Sequence, residues 1–122
     1  WITGMQHRVD AQTLGLRDLT RSESTAGAAA ALDLAGVDTA ELHAPFSHQE
    51  LILRRELGLD ESVAVNPSGG PLSGNPMFSA GLVRIGEAAS RVMAGTSDRA
   101  LGHATSGPAL QQNLVCVMEG RN

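Results

Sequence analysis

The sequence has 122 residues, 42% of them hydrophobic, which suits one compact domain and leaves little room for separate cofactor and substrate domains. Its 9 basic residues, all arginine, stand against 13 acidic ones for a formal charge of −4, and the longest basic cluster is Arg54-Arg55, which argues against a nucleic-acid surface or a polybasic membrane patch. Cys116 is the only cysteine, so an internal disulfide and a multi-cysteine metal site are excluded and a reducing cytoplasm is expected.

No apolar run approaches the roughly 20 residues of a membrane-spanning helix, and the first residues, from Trp1, carry no signal-peptide pattern and read as a processed or truncated start. Trp1 to Val9 is expected as a strand, followed by a polar surface connection over 10–23. Ser24 or Ser22 can cap a helix through the alanine-rich stretch Ala26–Ala35, which Gly36 would end. Thr39–His43 reads as a short strand stopped by Pro45. Ser47-His48-Gln49-Glu50 has the pattern of a capping box, opening a short helix through Leu51, Ile52, Leu53 and Leu57 that Gly58 closes.

Val63–Val65 is expected as a buried strand running into the turn residues Asn66-Pro67-Ser68-Gly69-Gly70-Pro71. After Asn75, Pro76 suits a first helical position and Gly95 the end. Phe78, Leu82, Ile85, Ala89 and Val92 would line one face of that helix, with Arg84, Glu87 and Arg91 on another. Arg99–Ala104 and Asn113–Met118 are expected as strands flanking the loop Thr105–Gln112 and able to form a hairpin. Strands alternating with helices imply an α/β fold, a mixed and mostly parallel sheet with helices packed on it. In such sheets chemistry collects beyond the carboxyl ends of the strands, which His43, the Ser68–Asn75 loop and the Thr105–Gln112 loop all leave.

Three segments resemble, in order and spacing, conserved blocks of the thiolase superfamily. The likeness is greatest to the branch of sterol-carrier-protein-X thiolases and related bacterial acetyl-CoA acetyltransferases. Glu41-Leu42-His43-Ala44-Pro45-Phe46 resembles a strand-to-helix segment in which a His or Asn precedes a conserved Phe by three positions. Asn66-Pro67-Ser68-Gly69-Gly70 resembles the branch's glycine turn and leads to Gly74-Asn75-Pro76, where the family has Gly-His-Pro. Thr105-Ser106-Gly107-Pro108-Ala109 stands before the final strand, where many members carry Cys-x-Gly.

The resemblance covers essentially the whole chain and implies the carboxyl-terminal half of a thiolase-like fold. The nucleophilic cysteine and most coenzyme A contacts would belong to an amino-terminal half that these residues do not include. It implies a catalytic set of His43, Asn75 and Gly107, with Phe46, Ser68, Gly69, Gly70, Gly74 and Ser106 near substrate.

His43 would donate to a thioester oxygen; its structural alternative is a packing histidine beside Pro45. Asn75 can donate hydrogen bonds but takes up no proton near neutral pH, so an oxyanion role survives and a basic role does not; it can equally cap a helix before Pro76. The acid/base cysteine position falls on or near Gly107, with Ala109 the other candidate, and neither moves a proton. Ser106 and Thr105 are hydroxyls at a turn, usually structural. His103 lies in or beside this loop, His48 opens the second helix, and His7 has no motif around it. Cys116 falls inside the last strand as a small buried hydrophobe.

The implied activity is acyl transfer on coenzyme A thioesters in lipid or sterol metabolism. The alternatives are a degenerate domain with retro-aldolase activity, or a non-catalytic acyl-CoA- or partner-binding subunit. Coenzyme A enters as substrate, with no tightly bound cofactor. The four histidines lack paired ligand spacing, so no metal site is expected. The resemblance implies an amino-terminal thiolase half or subunit as partner, a homodimer or higher oligomer, and, by analogy with some members, a small OB-fold partner protein.

Overall fold

The computed structural model describes residues 1–120. In chain order the elements are β1 (Ile2–Val9), a single 3-10 turn at Leu14–Leu16, α1 (Glu23–Ala30), β2 (Thr39–Glu41), α2 (Ser47–Glu56), β3 (Ala64–Val65), α3 (Gly70–Ser73), α4 (Ala80–Met93), β4 (Arg99–Ser106) and β5 (Gln112–Glu119). The five strands form one mixed sheet in the order β1-β5-β4-β2-β3. β3, β2 and β4 run parallel, whereas β4–β5 is the expected antiparallel hairpin and β1 returns to pair antiparallel with β5. The antiparallel ladders are the longer part, because β2 and β3 are short.

Helices cover both faces. On one, α1 and α2 close a core of Ala28, Val37, Ala40, Leu42, Leu53, Leu57, Leu101, Val115 and Val117. On the other, α4 packs over Ala100, Cys116 and Met118 through Ala88, with Ile85, Ala89 and Val92 beside it. Cys116 is a buried free thiol, as expected. Strand alternation sorts β2 the same way: Ala40 and Leu42 enter the first core, so Glu41 and His43 face α4.

The boundaries differ from sequence expectation for local reasons. Ser22, not Ser24, caps α1, its hydroxyl accepting from the Thr25 N–H. The helix ends at Ala30 because Asp33 folds its own side-chain turn, accepting from Ala35 N at 3.0 Å. At α2 the extended residue is Phe46, so Ser47 is already helical and the expected capping box does not form. Gln49 Oε1 takes the Phe46 N–H at 3.4 Å instead. Glu50 turns sideways to Arg54 and to the Asn66 amide. Strand β3 is an edge of two residues, Ala64 exposed and Val65 half-buried, not the buried strand expected.

The largest correction concerns α4. It begins at Ala80 rather than Pro76, because Met77 N–H and Ser79 N–H close tight turns on Asn75 O and Pro76 O. Its buried stripe is Ala80, Arg84 and Ala88, at i, i+4 and i+8. Phe78 and Leu82, expected on the core face, are 101% and 72% exposed. Small residues bring this helix close to the sheet: a Cβ on Gly102 would lie 2.9 Å from Ile85 Cα, and one on Gly81 2.5 Å from Ala104 Cβ. Gly102→Ala is therefore expected to force α4 off β4 and destabilise by about 1–3 kcal/mol. Urea unfolding checks this, and an unchanged midpoint would contradict the close approach.

Candidate functional site

Beyond the carboxyl ends of the adjacent parallel strands β2 and β4 lies a cavity of about 450 Å³. Its lining brings together His43, Asn75 and Gly107 with Phe46, Ser106, Thr105, Gln49, Met77, Phe78 and the 108–110 segment. A larger opening of about 860 Å³, with Val92, Gly95, Asp98, Arg99 and Glu119 in its wall, lies at the amino end of β4, away from all of these residues.

His43 follows β2 where the backbone makes a three-residue turn, Ala44 N–H to Leu42 O at 3.0 Å. Asn66 pins this turn: its Oδ1 accepts from Leu42 N at 2.7 Å while its Nδ2 donates to Glu50 on α2. The imidazole is 7% exposed, and its Nδ1 accepts the Thr105 backbone N–H at 3.2 Å. That bond places the proton of neutral His43 on Nε2, which has no partner among the described residues. Burial pushes the His43 pKa below its ordinary 6.5, and the Arg84 charge nearby acts in the same direction. A neutral Nε2–H donor at the cavity is the outcome.

Asn75 lies exposed in the loop before α4 and does not cap it; Ser79 precedes the first helical residue. Gly107 has φ +75°, and a Cβ on it would meet Gln111 Oε1 at 2.6 Å, so the position requires glycine on two counts. Two further residues of this loop, Ala109 and Leu110, also hold positive φ, +50° and +57°. For residues with a Cβ that conformation costs about 1–2 kcal/mol each. It is held by Arg17, whose Nη2 donates to Pro108 O at 2.8 Å and Nη1 to Ala109 O at 3.2 Å, and by Asn113, whose Nδ2 donates to Leu110 O at 2.7 Å. With no cis peptide present, the Ala109 and Leu110 N–H groups point oppositely to those carbonyls and have no acceptor among the described residues, and both residues line the cavity. The polar connection over 10–23 gave no signal of Arg17, because the contact spans some 90 residues.

The glycine turn does not join the cavity. Ser68 is tied to Glu41 by its N–H at 3.0 Å and its hydroxyl at 2.6 Å, and it accepts from Arg84 at 2.7 Å. Gly69 and Gly70 have φ +93° and +60° and shape the entry to α3, and a Cβ on Gly70 would strike the Asn66 side chain at 2.8 Å. Gly74 lies outside the lining too, next to Asn75. Beside this turn Glu41, fully buried, accepts from Arg84 at 3.0 Å and lies 3.6 Å from Arg91 Nε. Sequence reasoning set both arginines on a face apart from the apolar one and missed this group.

His103 does not reach the cavity. It faces the α1–α2 side, opposite to His43, and is fully buried with Nε2 3.0 Å from Asn113 Oδ1. Asn113 donates in turn to Ser24 Oγ at 2.7 Å, which donates to Asp10 at 2.6 Å. Because Asn113 offers an oxygen, His103 donates from Nε2, and its Nδ1 is left buried without a partner. Burial drives its pKa to about 4, the Asn113 bond opposing. The folded value lies below the unfolded 6.5, so the unfolded chain binds more protons between the two. His103 thus contributes stability that is complete above pH 6.5 and falls by roughly 3 kcal/mol as pH drops to 4. His103→Gln should flatten that limb in urea unfolding, and equal slopes in the two proteins would contradict this reading. His48 is exposed, stacked on Phe46 with centroids 5.9 Å apart, and His7 is exposed on β1.

No protein-family profile and no curated protein matches the chain. Among solved structures it is similar to human mitochondrial 3-ketoacyl-CoA thiolase, with a TM-score of 0.72 and 22% identity over 98% of this chain and 30% of that one. It is also similar to a monomeric SCP2-thiolase-like protein type 1 from Mycobacterium smegmatis, with a TM-score of 0.76 and 21% identity over 96% of this chain and 28% of that one. The fold is thiolase-like, and the chain spans under a third of the length of either protein.

Proposed function

We propose that this chain is the carboxyl-terminal part of a thiolase-like acyltransferase acting on coenzyme A thioesters, and that it supplies the donors for a thioester oxygen. The observation that carries the reading is the His43 tautomer: Nδ1 takes the Thr105 N–H, leaving an Nε2–H at a cavity shared with Asn75 and the 107–110 loop. Acyl transfer builds negative charge on that oxygen, and fixed donors in a water-poor site stabilise it more than the neutral thioester. Asn75 adds an amide donor, and the Ala109 and Leu110 N–H groups add backbone ones. The nucleophile and most coenzyme A contacts come from elsewhere in the protein in this reading. Uncovered apolar side chains support such a neighbour: Leu82 and Met93 on one side of α4, and Met5 on the same sheet face, are 72%, 88% and 58% exposed. Lipid or sterol substrates, a homodimer and an OB-fold partner belong to the same proposal.

One observation favours a second reading. Among the lining residues His43 alone titrates near neutral pH, and burial holds it neutral, so the cavity walls from this chain contain no group poised to shuttle a proton. Binding without turnover asks no proton transfer of this wall. Retro-aldol cleavage of a 3-hydroxyacyl thioester needs a different proton inventory, with the base for the 3-hydroxyl and the acid for the enolate carbon supplied from outside it. The deciding experiment is intact mass of the complete protein after incubation with acetyl-CoA and a longer 3-ketoacyl-CoA. An acyl adduct on a cysteine outside this chain supports the transferase. Saturable binding with no adduct rejects it, and aldehyde or ketone release from a 3-hydroxyacyl-CoA then separates the aldolase from the binding protein.

A further inference from the structure

We propose that Arg17 is a positioning residue of this site: its guanidinium sets the direction in which the 108–110 peptides present their N–H groups to the cavity. The proposal rests on the reading of the cavity as a thioester-oxygen site. The Arg17 side chain is 8% exposed and is not part of the cavity lining. Its two terminal nitrogens grip the successive carbonyls of Pro108 and Ala109, a planar fork matched to two acceptors in a row. Asp10 Oδ2, 4.0 Å from Nη1, orients that fork and is itself fixed by the Ser24 N–H and hydroxyl at the start of α1. The 3-10 turn at Leu14–Leu16 delivers Arg17 to this point, with its own N–H closing on Leu14 O.

The adjoining carbonyls are secured as well, Leu110 O by Asn113 at 2.7 Å and Gln111 O by the Asp10 N–H at 2.7 Å. Four consecutive carbonyls are therefore drawn to one side of the loop. Because each trans peptide opposes its C=O to the next N–H, the pull on Pro108 O and Ala109 O is what turns the Ala109 and Leu110 N–H groups the other way. Neither residue is glycine, so positive φ at both positions is not their resting conformation, and it persists only where surrounding contacts over-determine it. Release of the fork would let those peptides rotate and scatter the donors, without removing any atom from the cavity wall.

The test compares two probes on the complete protein by titration calorimetry. One is the amide analogue of acetyl-CoA, with NH in place of the thioester sulfur, which keeps the carbonyl oxygen. The other is S-ethyl-CoA, which lacks it. In the parent protein the amide should bind more tightly. Arg17→Met should weaken the amide by about tenfold, the worth of a good hydrogen bond, while S-ethyl-CoA changes less than about twofold. Arg17→Lys, one donor point in place of a fork, should fall between and guards against a Met variant that does not fold. Hydrogen–deuterium exchange of the peptide spanning 106–112 should quicken in the Met variant. If the parent fails to distinguish the two probes, the thioester-oxygen reading is lost and this proposal with it. If the parent distinguishes them and both Arg17 variants do so equally, the reading stands and the positioning role is overturned. Equal weakening of both probes also overturns it, because a merely structural arginine would act that way.

Discussion

His43→Ala is expected to slow thioester turnover in the complete protein about 10²–10³-fold, the usual effect of removing one oxyanion donor. The loss should fall on kcat more than on KM, because the Nε2–H is aligned to a charge that exists only as the reaction proceeds. The pH profile gives a second readout. Burial lowers the His43 pKa from 6.5, so the ring protonates at lower pH than an unburied histidine. Above pH 6.5 the rate should carry no limb from this residue. In acid, the imidazolium loses the Nδ1 lone pair that receives the Thr105 N–H, and the ring loses its anchor. A rate for the alanine variant within about twofold of the parent, in a folded protein, would remove His43 from the site and leave the packing role beside Pro45.

Glu41→Gln is expected to cost about 3–5 kcal/mol of stability, the largest effect of any single change considered, and to lower the unfolding midpoint by on the order of 10 °C. The carboxylate is fully buried between Arg84, Arg91 and Ser68. An isosteric amide keeps much of the shape and the Ser68 contact but leaves the Arg84 guanidinium, 5% exposed, without a counter-charge. Double replacement Glu41→Leu with Arg84→Met should recover most of that loss, because two apolar groups bury at little cost where an unpaired charge does not. A Glu41→Gln protein as stable as the parent would mean that water reaches this pair. Such an outcome would contradict the packing of α4 on β2.

What the sequence displayed and what it concealed follow from distance along the chain. The ends of β2 and β4 were legible from Pro45 and from the turn residues after Thr105, and adjacency of those strands brings His43 and the Gly107 loop to one cavity. Asn75 arrives there through the loop before α4. The glycine turn had the same local signature, yet its Ser68 is committed to Glu41, and no local pattern separates a turn that meets a ligand from one that supports a charge pair. On helix α4 the expected Ile85, Ala89 and Val92 do pack on the sheet, but periodicity also rewarded Phe78 and Leu82, which are exposed, and missed Arg84, buried because its partner lies 43 positions earlier. Arg17 was invisible for the same reason, its acceptors being backbone atoms of a distant loop whose carbonyls any sequence would possess.

The pairing of β1 with β5 has a consequence for how the molecule is made. Met5 faces Cys116 and Val9 faces Gln112, so the first strand finds its neighbour only when more than a hundred further residues are available. During synthesis at about 5–20 residues per second, the backbone edge of β1 that pairs with β5 therefore stays unmatched for several seconds. Contacts this far apart in sequence close late and slowly. Until β5 is made, β1 offers two unpaired edges to other strands; β5 then satisfies one of them, and the other remains the margin of the sheet.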